Sequence, residues 1–175
     1  MFKKHPKGLY VLFFTEMWER FGYYLMVGIL LLYLTDTTTG GKAFDVRTAA
    51  DIVGSFIALV YLTPFIGGLI ADRYLGYLKS IYIGGSLMAA GYFGLAFPGD
   101  TALFISLGLV IVGNGFFKPN ISTILGIIYN KDELKHYKDS AYNIFYMGIN
   151  IGALVCNYSS YRVINRFNAR KICRC

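Results

Sequence analysis

The chain has 175 residues, of which 55% are hydrophobic, 17% aromatic and 15% charged, and its formal net charge is +7. Mean hydropathy is +0.49. A soluble domain carries about 25% charged residues and a disordered chain is rich in charge and poor in aromatics, so this composition argues against both disorder and a Glu/Lys/Ala-rich coiled coil. Three cysteines, Cys156, Cys173 and Cys175, make no disulfide framework.

In chain order, residues 9–34 are hydrophobic but contain Glu16, Glu19 and Arg20. A signal peptide is the alternative here, because Lys3, Lys4 and Lys7 precede the apolar run. That run breaks at Glu16 and no small-residue cleavage site follows it, so it is shorter than the roughly 7–15 residues of a signal-peptide core. The reading is a charged transmembrane helix. Residues 52–71 and 80–99 are each 20 residues without Asp, Glu, Lys or Arg, residues 101–117 are 17, and residues 140–161 are 22. A bilayer core needs about 20 apolar residues per helix. The expected helices are therefore 9–34, 52–71, 80–97, 101–128 and 141–158. Between them lie a polar loop at 35–51 with Gly40 and Gly41, a short loop at 72–79, a Pro-Gly turn at 98–100 and a charged connector at 130–139.

Lys and Arg in short loops set orientation. Lys3, Lys4 and Lys7, then Arg73 and Lys79, then Lys131, Lys135 and Lys138 mark the N-terminus and the second and fourth connections as cytoplasmic. The end of the chain opposes this pattern. Arg162, Arg166, Arg170, Lys171 and Arg174 place five positive charges on the side expected to be outside. Residues 159–175 are read as a basic tail produced by truncation or a frame change, with a genuine short tail as the alternative. Without those five residues the balance is 12 basic against 10 acidic, or +2.

Charge within a membrane helix costs about 2.5–3.5 kcal/mol per residue on insertion scales and needs a reason. Glu16, Glu19 and Arg20 share one helical face, at spacings of three and four, and Tyr23 and Tyr24 continue it. Pairing of Glu16 with Arg20 leaves Glu19 unmatched by the first helix, and Lys118 in the fourth span supplies the match. The first and fourth helices are thus expected to face one another. One function for such a quartet is a proton-coupled, anion-binding cavity: protonating Glu16 or Glu19 frees Arg20 or Lys118 to attract a substrate carboxylate. A role in helix packing alone is the alternative. Tyr61, Asn150, Asn114 and Asn120 fit a polar cavity or, equally, interhelical hydrogen bonds. Gly67, Gly68, Gly84, Gly85, Gly113 and Gly115 are expected to allow close helix approach, and Pro64 and Pro119 to kink helices.

Enzyme readings find little support. His5 and His136 both fall in loops, no Cys/His spacing suggests a metal, and neither a phosphate-binding loop nor a GxSxG elbow is present. The basic residues outside the tail sit at membrane edges, which disfavours a nucleic-acid partner.

Four motifs then occur in order: EMWERFGYY at 16–24, GGLIADRYLG at 67–76, GNGFFKPN at 113–120 and FYMGINIGA at 145–153. They resemble the ExxERFxYY, GGxxADRxxG, fourth-helix lysine and FYxxINxG motifs of the proton-dependent oligopeptide transporters, a family of the major facilitator superfamily. The resemblance covers residues 7–155. It implies an all-α membrane protein in a bacterial inner (plasma) membrane with a cytoplasmic N-terminus. Residues 1–158 would supply about five transmembrane helices of an N-terminal six-helix bundle. The function implied is proton-coupled symport of di- and tripeptides, without a cofactor or metal and with the proton as coupling ion. Glu16, Glu19 and Arg20 would couple protons. Tyr23, Tyr24, Tyr61, Lys118 and Asn150 would bind substrate, with Lys118 near the peptide carboxylate. Asp72 and Arg73 would belong to a cytoplasmic gating loop. Val27 stands where many members carry a basic residue. The family's second half, which transport requires, lies outside this sequence, so the fragment alone is expected to be inactive. A non-transporting membrane remnant or scaffold, and a transporter of another anion such as nitrate, are the alternatives.

Overall fold

A computed structural model of the chain describes residues 5–37 and 40–172, with side chains described as far as Arg162. The described residues form helices joined by short loops and turns, with no strand among them. The elements are α1 (Lys7–Thr35), α2 (Val46–Ile70), a π-helical turn (Ala71–Leu75), α3 (Tyr77–Gly94), α4 (Asp100–Ile128), a 3-10 turn (Lys135–Tyr137) and α5 (Lys138–Ile172). These match the five expected helices with shifted ends. Two compact units result, one from Met1–Val53 with His136–Cys175 and the other from Gly54–Lys135.

In the first unit α1 packs on α5. Gly148 lies against Phe13, Gly152 against Met17 and Arg20, and Gly28 against Ser160. Contact positions rise together along both helices, so the two run parallel. The loop after α1 folds back to satisfy its last carbonyls. The Lys42 amide donates to Tyr33, that of Ala43 to Asp36 and that of Phe44 to Leu34, at 2.9–3.1 Å. α2 begins six residues earlier than the charge-free span. Asp45 caps it, accepting from the Thr48 amide at 3.0 Å. Hydrogen bonds from the Thr48 hydroxyl and then its amide hold the exposed Asp45 carboxyl below the usual aspartate range.

In the second unit α3 and α4 are antiparallel neighbours. Gly84 faces the Gly113 carbonyl oxygen, while Gly91 and Gly94 face the Ser106 end of α4. α2 runs parallel to α4, joined by a hydrogen bond from the Thr63 hydroxyl to the Ile111 carbonyl at 3.1 Å. Gly67 lies directly against the Gly115 carbonyl. That oxygen has lost its ordinary helical donor, because position 119 is proline. Of the expected close-approach glycines, Gly67, Gly84, Gly113 and Gly115 fill that role. Gly68 and Gly85 have ordinary clearance: a Cβ at Gly68 would lie 3.6 Å from Pro119 and one at Gly85 4.0 Å from Phe117. Both α2 and α4 continue as helices through Pro64 and Pro119.

Two expected loop boundaries move. The segment expected as a loop at 72–79 is mostly helical. A π-turn closed by the Gly76 amide on the Ala71 carbonyl at 2.8 Å passes into α3 through Gly76, whose φ of +75° suits glycine. α5 continues past residue 158 to Ile172, since no glycine or proline interrupts residues 153–172. Arg162, the first of the five basic residues, donates to the Tyr158 hydroxyl one turn back at 2.8 Å. The side chains of Arg166, Arg170 and Lys171, and all of Cys173, Arg174 and Cys175, lie outside the described residues, as do Lys3 and Lys4.

Candidate functional site

The buried face of α1 consists of Leu9, Glu16, Arg20, Tyr23, Leu30 and Leu34, whereas Val11, Phe14, Trp18 and Leu31 of the same helix are exposed. The inward face thus carries the charge, among leucines. α4 likewise buries Ser106, Asn114 and Asn120 among apolar side chains such as Leu103, Val110 and Ile121, while Phe104, Ile105 and Val112 lie outside. Extended exposed apolar faces mark contact with lipid or protein. Residues Val46–Leu75 and Asp100–Ile128 are, among the described residues, long and apolar enough to cross a membrane.

Glu16, Arg20 and Glu19 form a compact ion cluster on α1. Their side chains are 3%, 5% and 7% exposed, and the Arg20 Nε lies 3.3 Å from Glu16 Oε1 and is also hydrogen-bonded to Glu19 Oε2. Arg20 thus meets Glu19 as well as Glu16, while two carboxylates on one guanidinium still leave one negative charge that the cluster does not match. A guanidinium presents five N–H donors in a fork, so Arg20 reaches its chain neighbour as well as the residue one turn back. Its Cζ also stands 5.2 Å from the Tyr23 ring centroid. Tyr23 is buried in this cluster, whereas Tyr24 is exposed and meets the edge of Tyr23 in a T-shaped ring contact at 5.5 Å. Gly152 of α5 lies against the Arg20 Cβ and the Met17 carbonyl, where a side chain would collide. Gly152 falls inside the FYMGINIGA motif, but its place against Arg20 carries no signal in the sequence.

In the second unit α2 and α4 bring Tyr61 and Lys118 together. The Lys118 Nζ lies over the Tyr61 ring, 5.1 Å from its centroid. Asn120 is buried and its Nδ2 donates to the Phe116 carbonyl of its own helix at 2.6 Å, which commits its amide locally. Asn114 is buried on the same helix, whereas Asn150, on α5, is exposed. The cluster on α1 and the Tyr61–Lys118 pair belong to different units.

Asp72 and Arg73 are exposed in the π-turn. The Tyr77 hydroxyl donates to the Asp72 carboxylate, which pushes the Tyr77 pKa up. Sequence reasoning misses Tyr77, whose only signal is a phenol five residues after an aspartate, across a glycine. Thr63 gives no signal at all. Among the described residues no group of three or more His, Cys, Asp and Glu side chains converges.

A helical chain that buries Glu16, Arg20, Asn114 and Asn120 while exposing many large apolar side chains has the character of an integral membrane protein. The POT family model matches residues 78–160. The chain is 46% identical over 154 residues to the di-/tripeptide transporter of Lactococcus lactis subsp. lactis, covering 86% of this chain and 31% of that relative. It is 48% identical over 153 residues to an uncharacterized transporter, YclF, of Bacillus subtilis, again covering 86% and 31%. Among solved structures, the crystal structure of peptide transporter POT in complex with sulfate superposes with a TM-score of 0.84 at 44% identity, over 89% of this chain and 32% of that one. A POT family transporter in complex with 5-aminolevulinic acid gives 0.85 at 37%, over 95% and 34%. The chain is similar to the POT family, a family of transporters rather than enzymes, over residues 78–160, and spans about a third of the length of the curated relatives it matches. The family resemblance and the helical-bundle fold expected from the motifs are both borne out.

Proposed function

We propose that this sequence forms part of a proton-coupled symporter of di- and tripeptides in a bacterial inner membrane, with its N-terminus in the cytoplasm. The observation that carries the proposal is the buried Glu16–Arg20–Glu19 cluster on a helix whose outer face is apolar. Two carboxylates on one guanidinium leave a net charge of −1, which a proton or a further cation can balance. With both carboxylates ionised, Lys118 as the second cation brings the quartet to zero, and protonating Glu16 or Glu19 raises it to +1 and weakens the hold on Arg20. Proton binding and the arrival of a substrate carboxylate are then linked through charge alone. Lys118 binds the peptide carboxylate, and Tyr23, Tyr24, Tyr61 and Asn150 line the remainder of the site. Asp72 and Arg73 act in the cytoplasmic gate. Parallel packing of α1 on α5 supports a serpentine five-span topology, since helices four apart in such a chain share a direction, and the lysines and arginines of the N-terminus and the even connections support the cytoplasmic N-terminus. Alternating access needs two halves that rock about a site near the midplane. A second half is therefore required as partner, along with the lipid bilayer, and the 175 residues alone do not transport.

The test is uptake of a labelled dipeptide into proteoliposomes containing the complete transporter, driven by an inward proton gradient. Wild-type uptake should collapse when the gradient is abolished. Glu19→Gln combined with Lys118→Ala should remove gradient-driven uptake, and uptake that survives both changes would refute the mechanism.

A further inference from the structure

The two membrane-length spans, Val46–Leu75 and Asp100–Ile128, end at the same place in the second unit. Because α3 and α4 are antiparallel, the start of α3 meets the end of α4 there, and between them lies a groove of about 400 Å³. Leu75, Leu78, Ile124, Ile127 and Ile128 give it an aliphatic lining, and Lys79 is the one charged residue of that lining among the described residues. Spacings of three and four put the three isoleucines on one face of α4. Leu78 and Ile127 are also exposed, so the groove opens sideways onto the apolar outer surface.

The electrostatics of the groove favour an anion. The Lys79 ammonium meets no carboxylate among the described residues. Asp72, seven residues earlier, accepts instead from the Tyr77 hydroxyl. α3 starts on Gly76, which has no side chain to cap the first amides, so the positive end of the helix adds to the lysine charge. The opposing negative end of α4 is closed by its own chain. The Tyr129 amide donates to the Leu125 carbonyl at 3.3 Å and the Asn130 amide to the Ile127 carbonyl at 3.2 Å.

An aliphatic groove at the end of two spans suits an acyl chain, whereas a free phosphate would leave that wall in water. A lysine stem lies along apolar surface while its ammonium reaches the polar boundary. The basic residues of the second and fourth connections put this edge in the cytoplasm, where the leaflet carries anionic headgroups and basic pockets between membrane helices bind them. We propose that the α3–α4 groove is a binding site for an anionic phospholipid of the cytoplasmic leaflet, with an acyl chain against Ile124 and Ile127 and the headgroup phosphate on Lys79. The inference takes its side of the membrane from the orientation proposed above and is independent of the substrate carried.

The experiment counts lipids bound to the complete purified transporter by native mass spectrometry, during titration with phosphatidylglycerol or with phosphatidylcholine of the same chains. Glycerol phosphate, a headgroup without chains, is the third probe. The wild type should take up phosphatidylglycerol in preference to phosphatidylcholine and should not retain glycerol phosphate. Lys79→Gln should lose about fivefold in affinity for phosphatidylglycerol and little for phosphatidylcholine, the size expected for one basic residue at a membrane surface. Lys131→Gln removes an equal charge from the fourth connection, outside the groove, and should leave the preference in place. Ile127→Trp, which fills the groove from its exposed side, should weaken binding of both lipids, and Ile124→Phe repeats that test if the first variant fails to fold. Equal binding of the two lipids by the wild type, equal losses for Lys79→Gln and Lys131→Gln, or groove-filling variants that bind as the wild type does would overturn the inference. Retention of glycerol phosphate as strong as that of the lipid would overturn it too, in favour of a free-phosphate site. Each of these results leaves the transport reading standing.

Discussion

Removing Arg20 tests the buried cluster most severely. The substitution Arg20→Met keeps an unbranched apolar stem, so the loss is chiefly that of charge and hydrogen bonds. It leaves two carboxylates whose side chains are 3% and 7% exposed without the guanidinium they share. Breaking a buried ion pair by deleting one partner costs about 3–5 kcal/mol. Here one cation serves two anions, so the expectation lies at the upper end, about 4–5 kcal/mol. It is not twice that figure, because interactions sharing one group do not add. Replacing every member of a buried ion set with neutral groups is often close to neutral. The triple variant Glu16→Gln, Glu19→Gln, Arg20→Met should therefore recover most of the lost stability. The assay is thermal unfolding of the complete transporter in detergent near neutral pH. An Arg20→Met protein that unfolds with the wild type, or a triple variant as unstable as the single one, would refute the reasoning.

Four further outcomes follow from the geometry. Gly152→Ala places a Cβ against the Met17 carbonyl and 3.3 Å from the Arg20 Cβ. Overpacking of about 1–3 kcal/mol against a helix-propensity gain of about 1 kcal/mol predicts a net loss of up to about 2 kcal/mol. Gly108→Ala, which meets nothing within 4 Å, should instead be neutral or stabilising in the same unfolding assay. Asp45→Ala should weaken the start of α2. Because bonding to Thr48 depresses the folded Asp45 pKa, the wild-type advantage is present at neutral pH and fades as pH falls through that value, below about pH 4, as followed by unfolding against pH. Tyr77→Phe should loosen the π-turn at neutral pH, as read by hydrogen exchange of the Gly76 amide. The Tyr77 pKa is raised in the folded state, so the wild-type advantage should disappear only as pH rises above about 10.

The five helices were legible because a charge-free run of membrane length can satisfy its backbone in lipid only as a helix or a closed barrel, and the turns between these runs carry glycine, proline or clustered charge. The ends were less legible. Hydropathy marks apolar residues, whereas helices start at caps and stop where the backbone is interrupted. Asp45 moved the start of α2 back into the polar loop, and the stretch without glycine or proline after Gly152 carried α5 through the basic segment. Spacing placed Glu16, Glu19 and Arg20 on one face, and Arg20 and Tyr23 meet as that spacing implies. Spacing did not show that one guanidinium serves both carboxylates, because the reach of a long side chain is not encoded in periodicity. The Tyr61–Lys118 contact joins residues 57 positions apart, so no local pattern could have announced it. Asn120 bonded back to Phe116 shows the opposite case, in which a polar residue that suggested a cavity is used by its own helix.

The central claim is that the α1 carboxylates link proton movement to peptide movement. Its most direct test is proton influx triggered by adding dipeptide to proteoliposomes of the complete transporter, read with a pH-sensitive dye inside the vesicles, for the wild type and for Glu19→Gln. Acidification on dipeptide addition by the wild type, and none by Glu19→Gln while that variant still exchanges labelled for unlabelled dipeptide, is the predicted result. Dipeptide-triggered acidification of equal size in both proteins would contradict it.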